Sequence, residues 1–301
     1  MSEGYTAYGL VIRSDIALPE LHRASDTDTA PPVTVGIGRV DPGGLDAGAW
    51  MGPFLCIRGS ALWLDVPAVA RFLIADGRTI TVDPAPGVDE DSVRVFLLGS
   101  ALGALLFQRG YLVMHGNAVR IGQSCLLCVG PSGAGKSTLA GAFLRRGFDV
   151  IADDVVPVDA LGRALPGFPR IKLWQDAADR LAVDTAPLAR IRPGFDKFNL
   201  PIGGRHTLSA LPIRWVYELH GDGERDGVSI EPVRGMERFT VLRNNTYRVH
   251  YLDGMGLKAE HLRLCASLSS RIGLSRLHRP RSGADLNGMI DRILQDIGFG
   301  A

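Results

Sequence analysis

The sequence predicts an α/β core, over residues 89–301, that follows a β-rich N-terminal region, over residues 1–88. Two observations lead to this division. The first region contains short runs of β-branched and aromatic residues separated by clusters of Gly, Pro and Asp, which is typical of strands joined by turns. In the second region, apolar runs of strand length alternate with segments of helical spacing, which is typical of an α/β fold.

Six apolar runs predict the strands of the N-terminal region: Tyr8–Arg13, Val33–Ile37, Phe54–Arg58, Ala61–Leu64, Ala70–Ile74 and Thr79–Val82. The polar stretch 24–32 is predicted to be a loop. No combination of residues in this region is typical of a catalytic site. We therefore expect it to support the core or to present a surface to a partner.

The core begins with a predicted helix from Asp89 to Gln108, whose acidic first turn suits the helix dipole and which ends at Gly110. Three strands are predicted next: Tyr111–His115, Ala118–Ile121 and Ser124–Val129. The later elements are a helix over Thr138–Arg146, a strand over Phe148–Ala152 that ends at Asp153 and Asp154, a strand over Ile213–Leu219, a polar turn over 221–227, and helices over Ala259–Ile272 and Ala284–Ile297.

Charge and composition exclude several classes of protein. The 33 basic and 32 acidic residues leave a net charge of +1, which argues against a chain that binds nucleic acid or a membrane surface by electrostatics. Apolar stretches such as Val95–Phe107 are too short to span a bilayer. The first seven residues contain no secretory signal pattern, so we expect a cytoplasmic protein. Whether it forms a homo-oligomer is left open.

Two of the four cysteines, Cys125 and Cys128, have the C-x-x-C spacing of a metal or redox site. On a strand, however, an offset of three residues turns the two side chains to opposite faces. No second pair of Cys or His at metal spacing accompanies them. We therefore expect buried thiols of the core.

The residues from Gly130 to Ser137 read Gly-Pro-Ser-Gly-Ala-Gly-Lys-Ser, which matches the phosphate-binding pattern G-x-x-x-x-G-K-[ST]. The pattern stands between a predicted strand and a predicted helix, so backbone N–H groups and the positive helix end converge on one point. Lys136 is expected to reach the outer phosphates of a nucleotide and the Ser137 hydroxyl to bind Mg²⁺. The predicted phosphate ligands are Gly130, Ser132, Gly133, Ala134, Gly135, Lys136, Ser137 and Thr138.

Asp153 and Asp154 follow the next predicted strand, at the edge of the sheet where open α/β sheets bind ligands. Two adjacent carboxylates beside a triphosphate repel each other unless Mg²⁺ or a proton intervenes. We therefore expect one to bind the metal and the other to accept the proton of an acceptor hydroxyl. Asp154 is grouped with Ser137 as a metal ligand, although the pattern alone does not decide which carboxylate is the base.

His115-Gly116, the hairpin after it, Gly130–Ser137, Gly147 and Ala152–Asp154 together resemble the catalytic core of the HPr serine kinase/phosphorylase family. The resemblance implies an HPr-kinase-like core that transfers a phosphoryl group from ATP, with Mg²⁺, to a serine of a peptide or protein. It implies catalytic roles for Lys136, Asp153 and Asp154, and places His115 along the site.

The second signature of that family, downstream of the aspartates, is not found here. The cations Arg170, Lys172 and Lys197 are expected to supply its positive charges, and Arg248 is a further candidate. Only four of the 33 basic residues are lysines, which also singles out Lys172 and Lys197. Leu18–Leu21 and the proline-bracketed stretch 165–174 are similar to divergent HPr-kinase-like proteins found with lasso-peptide biosynthesis, some of which phosphorylate the C-terminal serine of a precursor peptide.

Two other functions remain open from the sequence. A small-molecule kinase would have the same core, because the acceptor pocket is the part that diverges. A non-catalytic regulator would bind the nucleotide to order a partner surface. The pair of aspartates favours catalysis over regulation, since binding alone needs no second carboxylate.

Overall fold

The computed structural model describes residues 3–25, 31–221, 227–280 and 285–299. Within these ranges the chain is a mixed α/β protein with three sheets. The predicted loop over 24–32 and the predicted turn over 221–227 lie largely outside the described residues, as does the first residue of the predicted helix 284–297.

Nine strands of the described residues form the N-terminal sheet, in the order β3-β1-β2-β4-β9-β8-β7-β6-β5. Their bounds are β1 Glu3–Ala7, β2 Leu10–Ser14, β3 His22–Arg23, β4 Val33–Ile37, β5 Ala49–Trp50, β6 Leu55–Arg58, β7 Ala61–Val66, β8 Ala70–Ala75 and β9 Thr79–Pro84. The predicted strand at Tyr8 begins at Leu10 instead. Tyr8 and Gly9 have φ values of 55° and 70°, and this left-handed turn joins β1 to β2.

The predicted helix after Asp89 is confirmed, with one irregularity. It consists of α1 (Glu90–Phe96), a π-helical turn over 97–101, and α2 (Leu102–Gln108). The Asp89 carboxylate caps it by accepting the Ser92 N–H at 2.7 Å. Its apolar residues share one buried core with the N-terminal sheet. The boundary expected at residue 88 therefore separates two elements that pack together.

The second sheet carries the strand before the phosphate loop and has the order β11-β10-β12-β13-β16-β18-β17, with β11 also paired to β16. The bounds are β10 Leu112–Ile121, β11 Ser124–Val129, β12 Val150–Val158, β13 Arg163–Ala164, β16 Leu211–Gly221, β17 Ser229–Pro232 and β18 Gly273–Arg279. A separate two-stranded antiparallel sheet consists of β14 (Arg170–Trp174) and β15 (Lys197–Pro201). The remaining helices are α3 Lys136–Arg145, α4 Gln175–Arg180, α5 Glu237–Asn244, α6 Tyr251–Met255, α7 Lys258–Ser269 and α8 Leu286–Asp296.

Two predicted strand ends were wrong. The runs 111–115 and 118–121 form one continuous strand, β10, through Gly116 and Asn117. The strand predicted to end at Asp153 and Asp154 continues as β12 to Val158. The physical reason is the same for both: β10 and β12 pair with each other along their length, and these backbone hydrogen bonds outweigh the local turn propensity of Gly, Asn and Asp.

Gly116 occupies a strand position that has no room for a side chain. A Cβ atom there would lie 2.3 Å from the carbonyl oxygen of Cys128 on β11. Gly116→Ala is therefore expected to destabilise the fold by about 1–3 kcal/mol, because the clash is with backbone and cannot be relieved by a rotamer change. Urea unfolding measures this. Gly204→Ala is the control, since a Cβ at Gly204 would meet nothing within 4 Å; equal losses in the two variants would contradict the argument.

The prediction of buried thiols is confirmed. Cys125 and Cys128 are both fully buried, and they belong to different core clusters on the two faces of the sheet. Burial raises the pKa of Cys128 to about 12 and raises that of Cys125 as well. Neither thiol is therefore a thiolate near neutral pH.

A histidine pair links the N-terminal sheet to the core. Nε2 of His22 lies 3.0 Å from Nδ1 of His206, and Nε2 of His206 donates to the Ile151 carbonyl at 3.2 Å. The proton of His206 is thus on Nε2, so its Nδ1 accepts from His22. Burial lowers the pKa of His206 to about 4.

The lowered pKa of His206 predicts that the fold is less stable in acid. Because the folded pKa of His206 lies below its unfolded value, the unfolded chain binds more protons between about pH 6.5 and 4, and stability falls as the pH drops through that range. Urea midpoints at pH 7 and pH 5 are expected to differ less for His206→Gln than for the wild type. Equal pH dependence in both proteins would show that His206 does not contribute.

Candidate functional site

The phosphate loop joins the end of β11 to the start of α3. Its glycines have left-handed backbones, with φ values of 142° at Gly130, 80° at Gly133 and 93° at Gly135, and α3 begins at Lys136. The first N–H groups of a helix have no partner within the helix, so this turn presents donors and a positive helix end to one anion. The loop therefore has the shape that its sequence predicts.

The Lys136 ammonium lies inside the curve of this loop. Its Nζ atom donates to the carbonyl of Gly130 at 2.8 Å and to that of Pro131 at 3.0 Å. Burial lowers the pKa of Lys136, while the charges of Asp154 and Asp153 act in the opposite direction. Its charge is thus held close to both carboxylates.

The pairing of three strands brings the aspartates to the loop. In the sheet register Val129, the last residue of β11, stands opposite Gly116, and Gly116 stands opposite Asp154. The neighbouring pair is Asn117 with Asp153. The aspartates therefore lie in the interior of β12, and the antiparallel strand β10 places them beside the loop, where the sequence had placed them by a strand end.

An unusual backbone turns both aspartates into the same cleft. In a regular strand neighbouring side chains point to opposite faces. Asp154, however, has a φ of 72° in the middle of β12, and both carboxylates line one cleft with Lys136 and Ser137. A left-handed backbone at a residue other than Gly is costly, and such residues cluster at functional sites.

The Asp153 carboxylate is locked by three donors. Its Oδ1 atom accepts from the Ser137 hydroxyl at 3.1 Å and from the Asn117 amide at 3.3 Å, and its Oδ2 atom accepts the Lys172 N–H at 2.8 Å. Burial, and then the charge of Asp154, raise the pKa of Asp153. This carboxylate is therefore a fixed oxygen ligand beside the hydroxyl of the phosphate loop.

The Asp154 carboxylate is paired with a cation. Its Oδ2 atom accepts from the Lys172 ammonium at 2.8 Å. Burial alone would raise the pKa of Asp154, but Lys172, and to a lesser extent Lys197, outweigh burial and lower it well below its usual range. Asp154 is therefore ionised near neutral pH.

His115 lies beside both the backbone carbonyl and the carboxylate of Asp154. Its Nδ1 atom lies 3.0 Å from the Asp154 carbonyl oxygen and 3.5 Å from Oδ1 of the same residue. Because a carbonyl only accepts, Nδ1 carries the proton and Nε2 carries a lone pair. Burial, and then Lys136, lower the pKa of His115, which favours this neutral ring.

The cleft between the loop and the aspartates has a volume of about 130 Å³. Lys172 and Lys197 both line it, because the antiparallel pair of β14 and β15 carries both toward Asp154. Arg170 does not line it: its guanidinium donates to Asn199 and packs over the Phe168 ring at 5.4 Å. Two of the three predicted cations therefore lie at the cleft.

Four residues at the cleft were not predicted from the sequence: Asn117, which lies beside it, and Trp174, Asp176 and Ala177, which line it. Asn117 is a buried amide that holds Asp153, and a polar residue inside an apolar strand is the signal that could have found it. Trp174 lines the cleft and has its ring 5.3 Å from the Lys197 ammonium. The local sequence does not indicate a role for Trp174, because its position at the cleft depends on the pairing of β14 with β15.

A second cavity, of about 400 Å³, opens on the side of His115. It shares His115 with the cleft and is also lined by Gly130 and Pro131 of the loop, by Glu218 and by residues 244–248. Oε1 of Glu218 accepts from the Asn245 amide at 3.2 Å and its Oε2 from Arg276 at 3.0 Å, so this carboxylate is compensated. We call this space the His115 cavity.

The donor atoms present fit a magnesium ion. The Ser137 hydroxyl and Asp153 Oδ1 are hard oxygen ligands 3.1 Å apart, and Mg²⁺ is commonly held by one or two such groups together with phosphates of the ligand. No cluster of three or more His, Cys, Asp or Glu residues suited to a metal occurs among the described residues, so a closed protein cage is absent there. The carboxylate at Ser137 is that of Asp153, whereas the sequence analysis had grouped Asp154 with this hydroxyl.

Comparisons with known proteins add little to this geometry. No family model matches the sequence, and no curated protein matches it. Among solved structures, the chain is similar to the Hpr(Ser) kinase/phosphatase from Coxiella burnetii, with 13% identity, 62% of this chain and 95% of that chain covered, and a TM-score of 0.27. A similarity this low carries no argument about function, so the HPr-kinase-like core stays a prediction. No helix in the described ranges is long and apolar enough to cross a bilayer.

Proposed function

We propose that this chain is a kinase that transfers the γ-phosphoryl group of ATP to a hydroxyl group, with Mg²⁺. One observation carries the proposal: the phosphate loop and the adjacent Asp153 and Asp154 line a single cleft, with Asp153 Oδ1 3.1 Å from the Ser137 hydroxyl. Phosphoryl transfer needs a phosphate cradle, charge to stabilise the transferred group, and a carboxylate that positions the acceptor. All three are present on residues of this chain.

The roles follow from the contacts. Backbone donors of the loop and the Lys136 ammonium would bind the phosphates, while Ser137 and Asp153 would hold a magnesium ion, which would neutralise negative charge there. Lys172 and Lys197 line the same cleft and supply further positive charge to the transferred group.

Asp154 is left for the acceptor. Its carboxylate lies beside His115, which lines both the phosphate cleft and the His115 cavity. We propose that the acceptor hydroxyl enters from this cavity and that Asp154 orients it and accepts its proton during transfer. His115 then holds the backbone of Asp154 in place, because its Nδ1 proton is donated to the Asp154 carbonyl.

The rim of the His115 cavity suits an acceptor with an anionic group. Among the described residues, Arg248 pairs with no carboxylate, and its guanidinium lies over the rings of Tyr247 and Tyr251 at 5.6 Å and 5.9 Å. It stands on a left-handed backbone with a φ of 42°. The C-terminal serine of a peptide would supply a hydroxyl for Asp154 and, next to it, a carboxylate for Arg248. The lasso-peptide precursors indicated by the sequence resemblance are one class of such peptides.

This assignment of Arg248 predicts a selective effect. Arg248→Gln is expected to raise the KM for an anionic acceptor about tenfold and to leave the affinity for ATP unchanged, because one charge-assisted pair to a carboxylate is lost. Initial rates against acceptor concentration measure it. A variant with an unchanged KM would show that the acceptor carries no anion at this position.

Transfer of label from γ-labelled ATP tests the function as a whole. The protein with Mg²⁺ is incubated with serine peptides, including peptides ending in serine, and with a panel of small hydroxy acids, and a Lys136→Ala protein is the negative control. Label on a peptide supports the proposal. Label on a metabolite supports a small-molecule kinase, which the 400 Å³ volume of the His115 cavity also allows. Nucleotide binding without transfer to any acceptor would contradict both and favour the regulatory function.

A further inference from the structure

A third cavity, of about 600 Å³, lies on the other side of the phosphate loop. Gly135 and Thr138 line both this cavity and the phosphate cleft, so the two spaces adjoin at the start of α3. Asp153, Asp154 and the two cleft lysines do not line it, and the carboxylate in its wall is that of Asp285, which caps α8 by accepting the Asn287 N–H at 3.0 Å. We call it the arginine cavity, after Arg145, Arg146, Arg180 and Arg279 in its wall.

The order of the three spaces sets a direction for a bound nucleotide. The transferred phosphate must lie at Asp154, next to the His115 cavity where the acceptor enters. The phosphate chain follows the loop, so its other end must leave the cleft past Gly135 and Thr138. That path opens into the arginine cavity, whose volume is within the range of about 300–1,000 Å³ found for small-molecule sites.

The wall of the arginine cavity suits a flat, partly apolar group attached to an anion. Apolar surface is supplied by Leu181, at the end of α4, and by Leu286 and Met289, both on α8. The Arg279 guanidinium is held flat against the loop, with Nη2 donating to the Ala134 carbonyl at 2.8 Å and Nε donating to the same oxygen at 3.3 Å. Planar guanidinium groups stack on nucleobases and also attract the adjoining phosphate.

The other arginines differ in how far they are engaged. Arg145 donates to the Leu181 carbonyl, and Arg146 donates to Asp291 and to the Asn287 carbonyl at 3.2 Å, so both brace the wall. Arg180, at the end of α4, is exposed and has no carboxylate partner among the described residues. It is therefore the cation of this wall that is available to a ligand.

We infer that the arginine cavity holds the nucleoside of the nucleotide whose phosphates occupy the loop, with Arg180 stacking on the base or pairing with the first phosphate. This inference rests on the proposed function and deepens it: the substrate is a nucleoside triphosphate, and inorganic polyphosphate, which cannot fill this cavity, binds more weakly.

Comparison of two probes tests the inference. Calorimetry with Mg²⁺ is expected to give at least about tenfold tighter binding of ATP than of inorganic tripolyphosphate to the wild-type chain, since ATP alone carries a base that can stack. Leu286→Trp fills the cavity without changing charge, and Arg180→Ala removes its available cation. Both variants are expected to weaken ATP about tenfold more than tripolyphosphate. Arg263→Ala, on the exposed face of α7 outside the cavity, is the control and should change neither affinity.

The outcomes separate the two claims. Equal affinity of the wild type for both probes, or variants that leave the ratio unchanged while remaining folded by circular dichroism, would overturn the nucleoside site and leave the phosphate site intact. Failure of both probes to bind the wild type would overturn the proposed function together with the nucleoside site. A lowered ratio in Leu286→Trp supports the inference even if Arg180→Ala acts on both probes through charge alone.

Discussion

Replacing Lys136 with alanine is expected to lower the rate of phosphoryl transfer by about 10²–10³-fold, the usual effect of removing one fixed donor from a charged transition state. The Lys136 ammonium lies inside the loop, held by the Gly130 and Pro131 carbonyls, close to where the outer phosphates bind. Because its charge is preorganised in a buried site, water cannot replace it after substitution. Single-turnover transfer at saturating ATP measures the effect on the chemical step.

Lys258→Ala is the matched control for this experiment. Lys258 is an exposed lysine paired with Asp253 on the surface, and its removal is expected to leave transfer unchanged. If Lys136→Ala kept its activity within a few-fold of the control, the loop would not be the site of transfer. Unfolding midpoints of both variants show whether a loss of activity reflects a loss of fold.

The two aspartates are expected to respond differently to the same isosteric change. Asp154→Asn should lower transfer by about 10²–10⁴-fold, the range for loss of a general base, while ATP–Mg²⁺ affinity stays close to wild type. Asp153→Asn should instead raise the Mg²⁺ concentration needed for half-maximal rate, because it weakens the oxygen ligand beside Ser137. Rates measured over a Mg²⁺ titration at saturating ATP separate the two effects.

A reversed result would exchange the two assignments. Loss of transfer in Asp153→Asn without a change in Mg²⁺ requirement, together with a raised Mg²⁺ requirement in Asp154→Asn, would place the metal at Asp154, as the sequence alone had suggested. Asn117→Ala offers a further check. It removes a donor to Asp153 and none to Asp154, so it should change the Mg²⁺ requirement in the same direction as Asp153→Asn.

The local sequence was sufficient to predict a structural feature wherever one continuous segment forms all of it. The phosphate loop is eight consecutive residues between a strand and a helix, so its glycines and helix end follow from the chain order alone. The apolar runs likewise predicted six of the nine strands described in the N-terminal sheet, and the spacing of Cys125 and Cys128 predicted their opposite faces. In each case the neighbours in sequence are also the neighbours that matter in space.

The roles of the aspartates could not be predicted in this way. Their place beside the loop depends on the register of β10 between β11 and β12, and the left-handed backbone at Asp154 turns both side chains into one cleft. Strand continuation through Gly116 and Asn117 was also missed, because cross-strand hydrogen bonds outweigh the turn propensity of those residues.

The sequence by itself thus predicted a turn with the polyphosphate-binding pattern, a nearby pair of carboxylates and lysines in the same segment. The tertiary structure alone decided which carboxylate meets Ser137, that Lys172 and Lys197 reach the cleft while Arg170 pairs with Asn199, and that cavities open on both sides of the loop. The physical reason is that hydrogen bonds and cavities between distant segments depend on strand register and packing, which a single sequence encodes only through the whole fold.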